Sequence, residues 1–157
     1  MSKQSAGILL YKFYQGLILV FLVHPGGPFY AKKDLSTWSI PKGEYEDGED
    51  PLSVAKREFY EETGVQIEGE LLLLPPVRLK SGKRIIAWAC EGEIDPQNLK
   101  SNTFEIEWPP KSGRMQRFPE IDKGQWFSIT DAKLKINSGQ LPLLDQLIRL
   151  LGYSSID

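Results

Sequence analysis

Cysteine is nearly absent from this 157-residue chain: Cys90 stands alone, so no intrachain disulfide can form. That composition is compatible with a reducing compartment. Histidine is equally scarce, with His24 alone, at the end of an apolar run. A lone histidine there is more often a structural hydrogen-bonder than a catalyst. Long apolar runs are missing too. "LILVFLV" and "LLLLPPV" are the longest, and both fall far short of the roughly 20 residues a membrane-spanning helix needs. There is no basic surplus: 19 Lys and Arg face 21 Asp and Glu, for a net charge of -2. No global field therefore argues for a nucleic-acid partner. The start, "MSKQSAGILLYKF", lacks the layout of a signal peptide. A cytoplasmic setting is the expectation, with no membrane partner. Length, a hydrophobic fraction of 41% and a charged fraction of 25% fit one ordinary domain over residues 1–157.

What is present is a local crowd of acids. The stretch "GEYEDGEDPLSVAKREFYEETGV", residues 43–65, holds eight acidic side chains in 23 positions. Asp50 followed by Pro51 is a helix start and Gly64 a helix stop, so the spacing predicts a helix over Pro51–Thr63. On that helix Leu52, Ala55 and Phe59 share an arc of about 60°, the expected core face. Glu58, Glu61 and Glu62 share a neighbouring arc of about 100°. Like charges at that spacing repel. Arg57, one turn from Glu61, offsets part of the repulsion. A hard divalent cation such as Mg²⁺, which takes oxygen ligands and keeps several waters, would offset the rest. A backbone carbonyl near Gly43 offers a further oxygen. The alternative at this point is a solvated acidic helix face.

Around this centre the chain reads as strands separated by helices. "AGILLYKF" and Leu17–Val23 are strands joined by a turn at Gln15-Gly16. "HPGGPFYAKKD" is a loop, and "TWSIP" a short strand leading into the acids. "ELLLLPPVRLK" and "KRIIAWACEGEI" are strands joined at "SGK", with Pro75-Pro76 marking a bulge or an edge. Residues 102–120 are irregular, with a short alternating piece near "TFEIEW". "KGQWFSI" is a last strand. "TDAKLKI" gives one or two helical turns capped by Thr130 or Asp131. A C-terminal helix carries an apolar stripe of Leu143, Leu144, Leu147, Ile148, Leu150 and Leu151. The pattern predicts an α/β fold, a mixed sheet sandwiched between helices.

The acidic stretch resembles the Nudix box of the Nudix hydrolase superfamily, typified by MutT-like pyrophosphohydrolases. The family pattern is G-x5-E-x7-R-E-U-x-E-E-x-G-U, where U is bulky and apolar. Gly43, Glu49, Arg57, Glu58, Phe59, Glu61, Glu62, Gly64 and Val65 satisfy all nine constrained positions. The resemblance implies a Nudix-type α/β/α sandwich with a mixed β-sheet. It implies hydrolysis of a nucleoside diphosphate linked to another moiety, with Mg²⁺ or Mn²⁺. Carried over by position, Glu58, Glu61 and Glu62 are metal ligands, joined by the Gly43 carbonyl. Arg57 orients them and Glu49 is a supporting acid. Many members also use a glutamate ahead of a Trp in the last strand. Here that residue is Glu120, ahead of Trp126, as a ligand or general base; Glu105 and Glu107 are weaker substitutes.

The substrate is less legible. The loop before the box offers Tyr30 and Lys33 beside His24, Phe29 and Lys32. Lys42 directly precedes the box. "PPKSGRMQRFPE" places Lys111, Arg114 and Arg117 ahead of Glu120, suited to polyphosphate. Where ADP-ribose hydrolases tend to carry Pro downstream of the box stands Ser81. Where many diadenosine polyphosphate hydrolases carry Tyr stands Gly82. An NTP, dNTP or dinucleoside polyphosphate is the expected substrate. The alternatives are an inactive domain that binds a nucleotide or partner, or an enzyme of RNA 5′ ends. The charge balance argues against tight RNA binding.

Overall fold

The computed structural model describes residues 3–152, so the outermost residues of the expected 1–157 unit lie outside it. Strands β1 (Gln4–Tyr14) and β2 (Leu17–Pro25) form a hairpin, followed by β3 (Lys42–Tyr45) and helix α1 (Pro51–Thr63). Then come β4 (Leu71–Leu73), β5 (Val77–Arg78), β6 (Arg84–Glu91), β7 (Thr103–Glu107), β8 (Met115–Pro119) and β9 (Ile121–Ser128). Helices α2 (Ile129–Lys135) and α3 (Leu141–Leu151) close the chain.

The main sheet runs β4-β6-β1-β2-β9, with β3 against β1 and β5 against β6. Only β1 and β6 pair in parallel, so the sheet is mixed. Side chains alternate along β1. Ala6, Ile8 and Leu10 pack under α1 with Val54, Ala55 and Phe59. Leu9 and Tyr11 face the opposite way, into a second core with Ile129, Ala132, Leu143, Leu144 and Leu147 from α2 and α3. The result is an α/β/α sandwich. Among the described residues no helix is long and apolar enough to cross a membrane.

Helix α1 has the predicted bounds. The Asp50 carboxylate accepts from the Ser53 N–H (3.2 Å) and Ser53 Oγ (2.7 Å). At the other end Gly64 takes φ 79°, and its N–H donates to the Tyr60 carbonyl (2.7 Å). Its core face differs in one member: Val54 is buried, whereas Leu52 is only partly so.

Four expectations need correction. "TWSIP" is not a strand: Trp38 and Ser39 make only isolated bridges, and pairing with β1 begins at Lys42, at the edge of the acidic stretch. Helix α2 starts earlier than expected, capped by Ser128, whose Oγ accepts from the Asp131 N–H. Leu150 is 43% exposed rather than part of the apolar stripe. Residues 102–120 are not irregular: they contain a second, two-stranded sheet, β7-β8. Only the first run, "TFEIE", alternates, while Met115 and Phe118 of the second stand three apart, so the sequence carries half of that hairpin signal. Pro75-Pro76 separates β4 from β5, as such a pair should.

Candidate active site

Strand β1 holds two partners on one edge. Its C-terminal half pairs with β2 from Tyr11 to Tyr14, and its N-terminal half pairs with β3 from Gln4 to Gly7. Where β2 leaves, the Ile8 N–H turns to the Pro41 carbonyl (3.1 Å). That split brings β3, and Gly43 with it, beneath α1.

Gly43 faces Glu58. A Cβ at Gly43 would lie 2.2 Å from the Glu58 carboxyl carbon, far inside contact distance. The glycine is therefore a steric requirement for the place Glu58 occupies. Glu62 is buried, and its carboxylate receives the Lys42 N–H while the Lys42 charge lies close by.

Burial, then Glu58, and to a smaller degree Glu120, raise the pKa of Glu62 to about 9 against the pull of Lys42. Glu58 rises to about 7, through burial first and then the charge of Glu61, with Arg57 opposing. Glu120 is raised as well, by burial and then by Glu61. The four acids therefore act on one another as neighbours, and Lys42 and Arg57 offset them only in part. Arg57 comes nearest, at 3.7 Å from Glu49, 3.6 Å from Glu58 and 3.9 Å from Glu61, but it is half exposed. Glu49 also shapes the approach to the helix. Its carboxylate accepts from the Glu46 N–H (2.9 Å) and closes the loop before α1.

Glu120 reaches the helix acids from the far side of the chain. The single residue between β8 and β9, it is tied by backbone bonds. Its N–H donates to the Asn102 carbonyl (2.8 Å), and the Asn102 N–H donates to the Glu61 carbonyl (2.8 Å). Its own carbonyl accepts from the Gly26 N–H (2.8 Å). Ser101 Oγ accepts from the Ile121 N–H (3.0 Å) and steadies the same junction. Gly26, Ser101 and Asn102 are the site-building residues that the sequence does not reveal.

Among the described residues, no group of three or more acidic, histidine or cysteine side chains forms a ready-made metal cage. The donor set still suits Mg²⁺, which dehydrates reluctantly and binds through one or two carboxylates plus substrate phosphates. The carboxylates at Glu58 and Glu62, only partly offset by Arg57 and Lys42, fit that requirement. A separate cavity of about 330 Å³, lined by Leu10, Phe59, Gln66, Glu68 and Glu93, includes none of the four acids.

The expected substrate residues divide. Lys42 lies beside Glu62. Tyr30 and Lys33 stand on the loop after β2, with the Lys33 ammonium 5.6 Å from the Tyr30 ring centroid. Arg114 is exposed at the β7-β8 tip and makes no ion pair among the described residues. Arg117 is occupied: it bonds Glu105 (2.7 Å) and Thr103 (3.2 Å). His24 is buried, with Nδ1 2.8 Å from Asp122 and Nε2 donating to the Lys33 carbonyl (2.7 Å). It anchors the loop.

This arrangement coincides with a known family. The NUDIX domain profile matches residues 1–147. The chain belongs to the Nudix family. An RNA pyrophosphohydrolase of Aliivibrio fischeri (strain MJ11) is 31% identical over 109 residues, 66% of this chain and 64% of that protein. The RNA pyrophosphohydrolase of Vibrio cholerae is 29% identical over 116 residues, 70% of this chain and 67% of that protein. The match thus spans less than two thirds of the first relative's length. Among solved structures, the Nudix domain of Shewanella oneidensis NrtR, complexed with ADP ribose, superposes with a TM-score of 0.66 at 16% identity, covering 96% of this chain and 89% of that one. A C. elegans Ap4A hydrolase gives 0.63 at 22% identity, covering 94% and 98%. At these identities the structural likeness speaks for the Nudix fold.

Proposed function

We propose that this Nudix chain hydrolyses a phosphoanhydride bond in a nucleoside polyphosphate, an NTP, dNTP or dinucleoside polyphosphate, in the cytoplasm. The observation that carries this reading is the meeting of Glu58, Glu61, Glu62 and Glu120 with only Lys42 and Arg57 to offset them. Such a site repels a polyphosphate unless divalent ions join the two. Glu58, Glu61 and Glu62, with the Gly43 carbonyl, would hold Mg²⁺ or Mn²⁺. When bound, the ion would neutralise phosphate oxygens and acidify water. Arg57 keeps the helix carboxylates apart and oriented. Glu120, on the opposite wall, accepts a proton from the attacking water. Glu58 is the other group available for that role. Lys42, Lys33 and Arg114 meet phosphate oxygens, and Tyr30 borders the base.

A second reading, removal of pyrophosphate from RNA 5′ ends, is favoured by the RNA pyrophosphohydrolases among the relatives. The test is Mg²⁺-dependent product release from dNTPs, dinucleoside polyphosphates, ADP-ribose and a 5′-triphosphorylated RNA, with Glu62→Gln as control. Turnover of one class, lost with EDTA and reduced by orders of magnitude in the variant, supports the reading. Metal-independent turnover, or a fully active Glu62→Gln, overturns it.

A further inference from the structure

We infer that the β7-β8 hairpin and the loop after β2 form two jaws that meet at Phe29 and Trp108, and that the outward ring faces of this edge-to-face pair stack on the base of the nucleotide. This rests on the proposed action on a nucleoside polyphosphate and adds where its base is bound.

The hairpin stands apart from the main sheet but is rooted in the acid site. The Lys100 N–H donates to the Thr63 carbonyl (2.9 Å), and Asn102 links Glu61 to Glu120. From that root Phe104, Ile106 and Trp108 alternate onto one half-buried face, of which Phe104 and Trp108 meet the loop. A Cβ at Gly27 would lie 2.8 Å from the Phe104 ring, and Phe29 meets Trp108 edge to face at 5.3 Å. The register from Thr103 to Glu107 spans four residue steps, which puts the tip about 13 Å from the root at strand spacing. A sugar and a short polyphosphate bridge such a gap.

The loop is pinned at both ends and open between them. Gly26 is bonded to Glu120, Lys33 to His24, and Asp34 to Trp38 and Lys135. Between these anchors Phe29 is 58% exposed and Tyr30 42%. Large apolar rings held in water by a pinned loop are ready to stack on a base.

Charge sets the occupant. The jaw acids are already engaged. Glu105 pairs with Arg117, and the Glu107 carboxylate accepts the N–H groups of Lys111 (3.0 Å) and Gly113 (3.1 Å). The side chains of Lys32, Lys111 and Arg114 make no ion pair among the described residues. Exposed rings flanked by unpaired cations suit an aromatic anion, and the adjacent acid site narrows that to a nucleotide.

The experiment measures binding of a non-hydrolysable methylene analogue of ATP, with Mg²⁺, by calorimetry and tryptophan fluorescence. Inorganic tripolyphosphate is the base-free comparison. Trp108→Ala and Phe29→Ala should each weaken analogue binding about ten-fold or more and leave tripolyphosphate binding unchanged. Trp108→Phe, which keeps a ring and the fold, should restore most of the affinity. Equal losses for both ligands, unchanged analogue binding in both alanine variants, or no analogue binding by the wild type would overturn the inference. A protein that binds the analogue in this base-dependent way but hydrolyses nothing would overturn the proposed activity and leave the jaws standing.

Discussion

Gly43 and Glu58 share one volume: the space a Cβ would need on the glycine is filled by the carboxyl of the glutamate. Gly43→Ala should therefore displace Glu58 without disturbing either core. We expect turnover to fall about ten-fold or more, while stability changes by about 1 kcal/mol or less. Steady-state kinetics and a thermal melt on the same sample check this. An active alanine variant would show that Glu58 works from a different position.

The acids should make the metal-free protein sensitive to pH. Burial holds the folded-state pKa of Glu62 at about 9 and that of Glu58 at about 7, against an ordinary 4.5. Above 4.5 the unfolded chain has released protons that the folded chain keeps, so stability falls as pH rises. The loss due to Glu58 is complete above about 7, and that due to Glu62 above about 9. Melting midpoints in EDTA should decline across this window, and Glu62→Gln should flatten its upper part. Mg²⁺ at about 100 times its dissociation constant should restore roughly 2.7 kcal/mol. A flat profile in EDTA would contradict the raised pKa of Glu62.

Asn102 acts through its backbone, since its N–H and carbonyl link Glu61 to Glu120. Asn102→Ala should be close to wild type in turnover. Asn102→Pro removes the N–H that reaches Glu61 and should cost about ten-fold or more in kcat, together with about 1–3 kcal/mol of stability. Equal behaviour of the two variants would detach the hairpin root from catalysis.

His24 should prove structural. Replacing it by Leu leaves the Lys33 carbonyl without its donor, at a cost of about 1–3 kcal/mol, and leaves the Asp122 carboxylate to water. The melting midpoint should drop. Turnover per folded molecule, measured well below the midpoint, should keep its pH profile. A lost limb in that profile would instead make His24 a proton carrier.

Helix α1 is readable along the chain because its determinants are local. The Asp50 cap, the Gly64 stop and the spacing of Glu58, Glu61 and Glu62 all lie within a few turns of one another. The β7-β8 hairpin is harder to read because only its first strand alternates; in the second, Met115 and Phe118 stand three apart. Leu150 departs from expectation for a different reason. Helical spacing gives an arc, but only the packed sheet sets how wide an arc is covered.

By itself, then, the sequence determined the acidic helix, its ends and the chemistry its carboxylates can serve. Only the tertiary structure decided that Asn102 joins Glu120 to Glu61, that Glu58 sits in the space left by Gly43, and that Phe29 meets Trp108. Helix signals are carried by side chains a few positions apart. The links through Asn102 and Gly26 are made by main-chain N–H and carbonyl groups, which nearly every residue carries, so they leave no mark in the order of side chains.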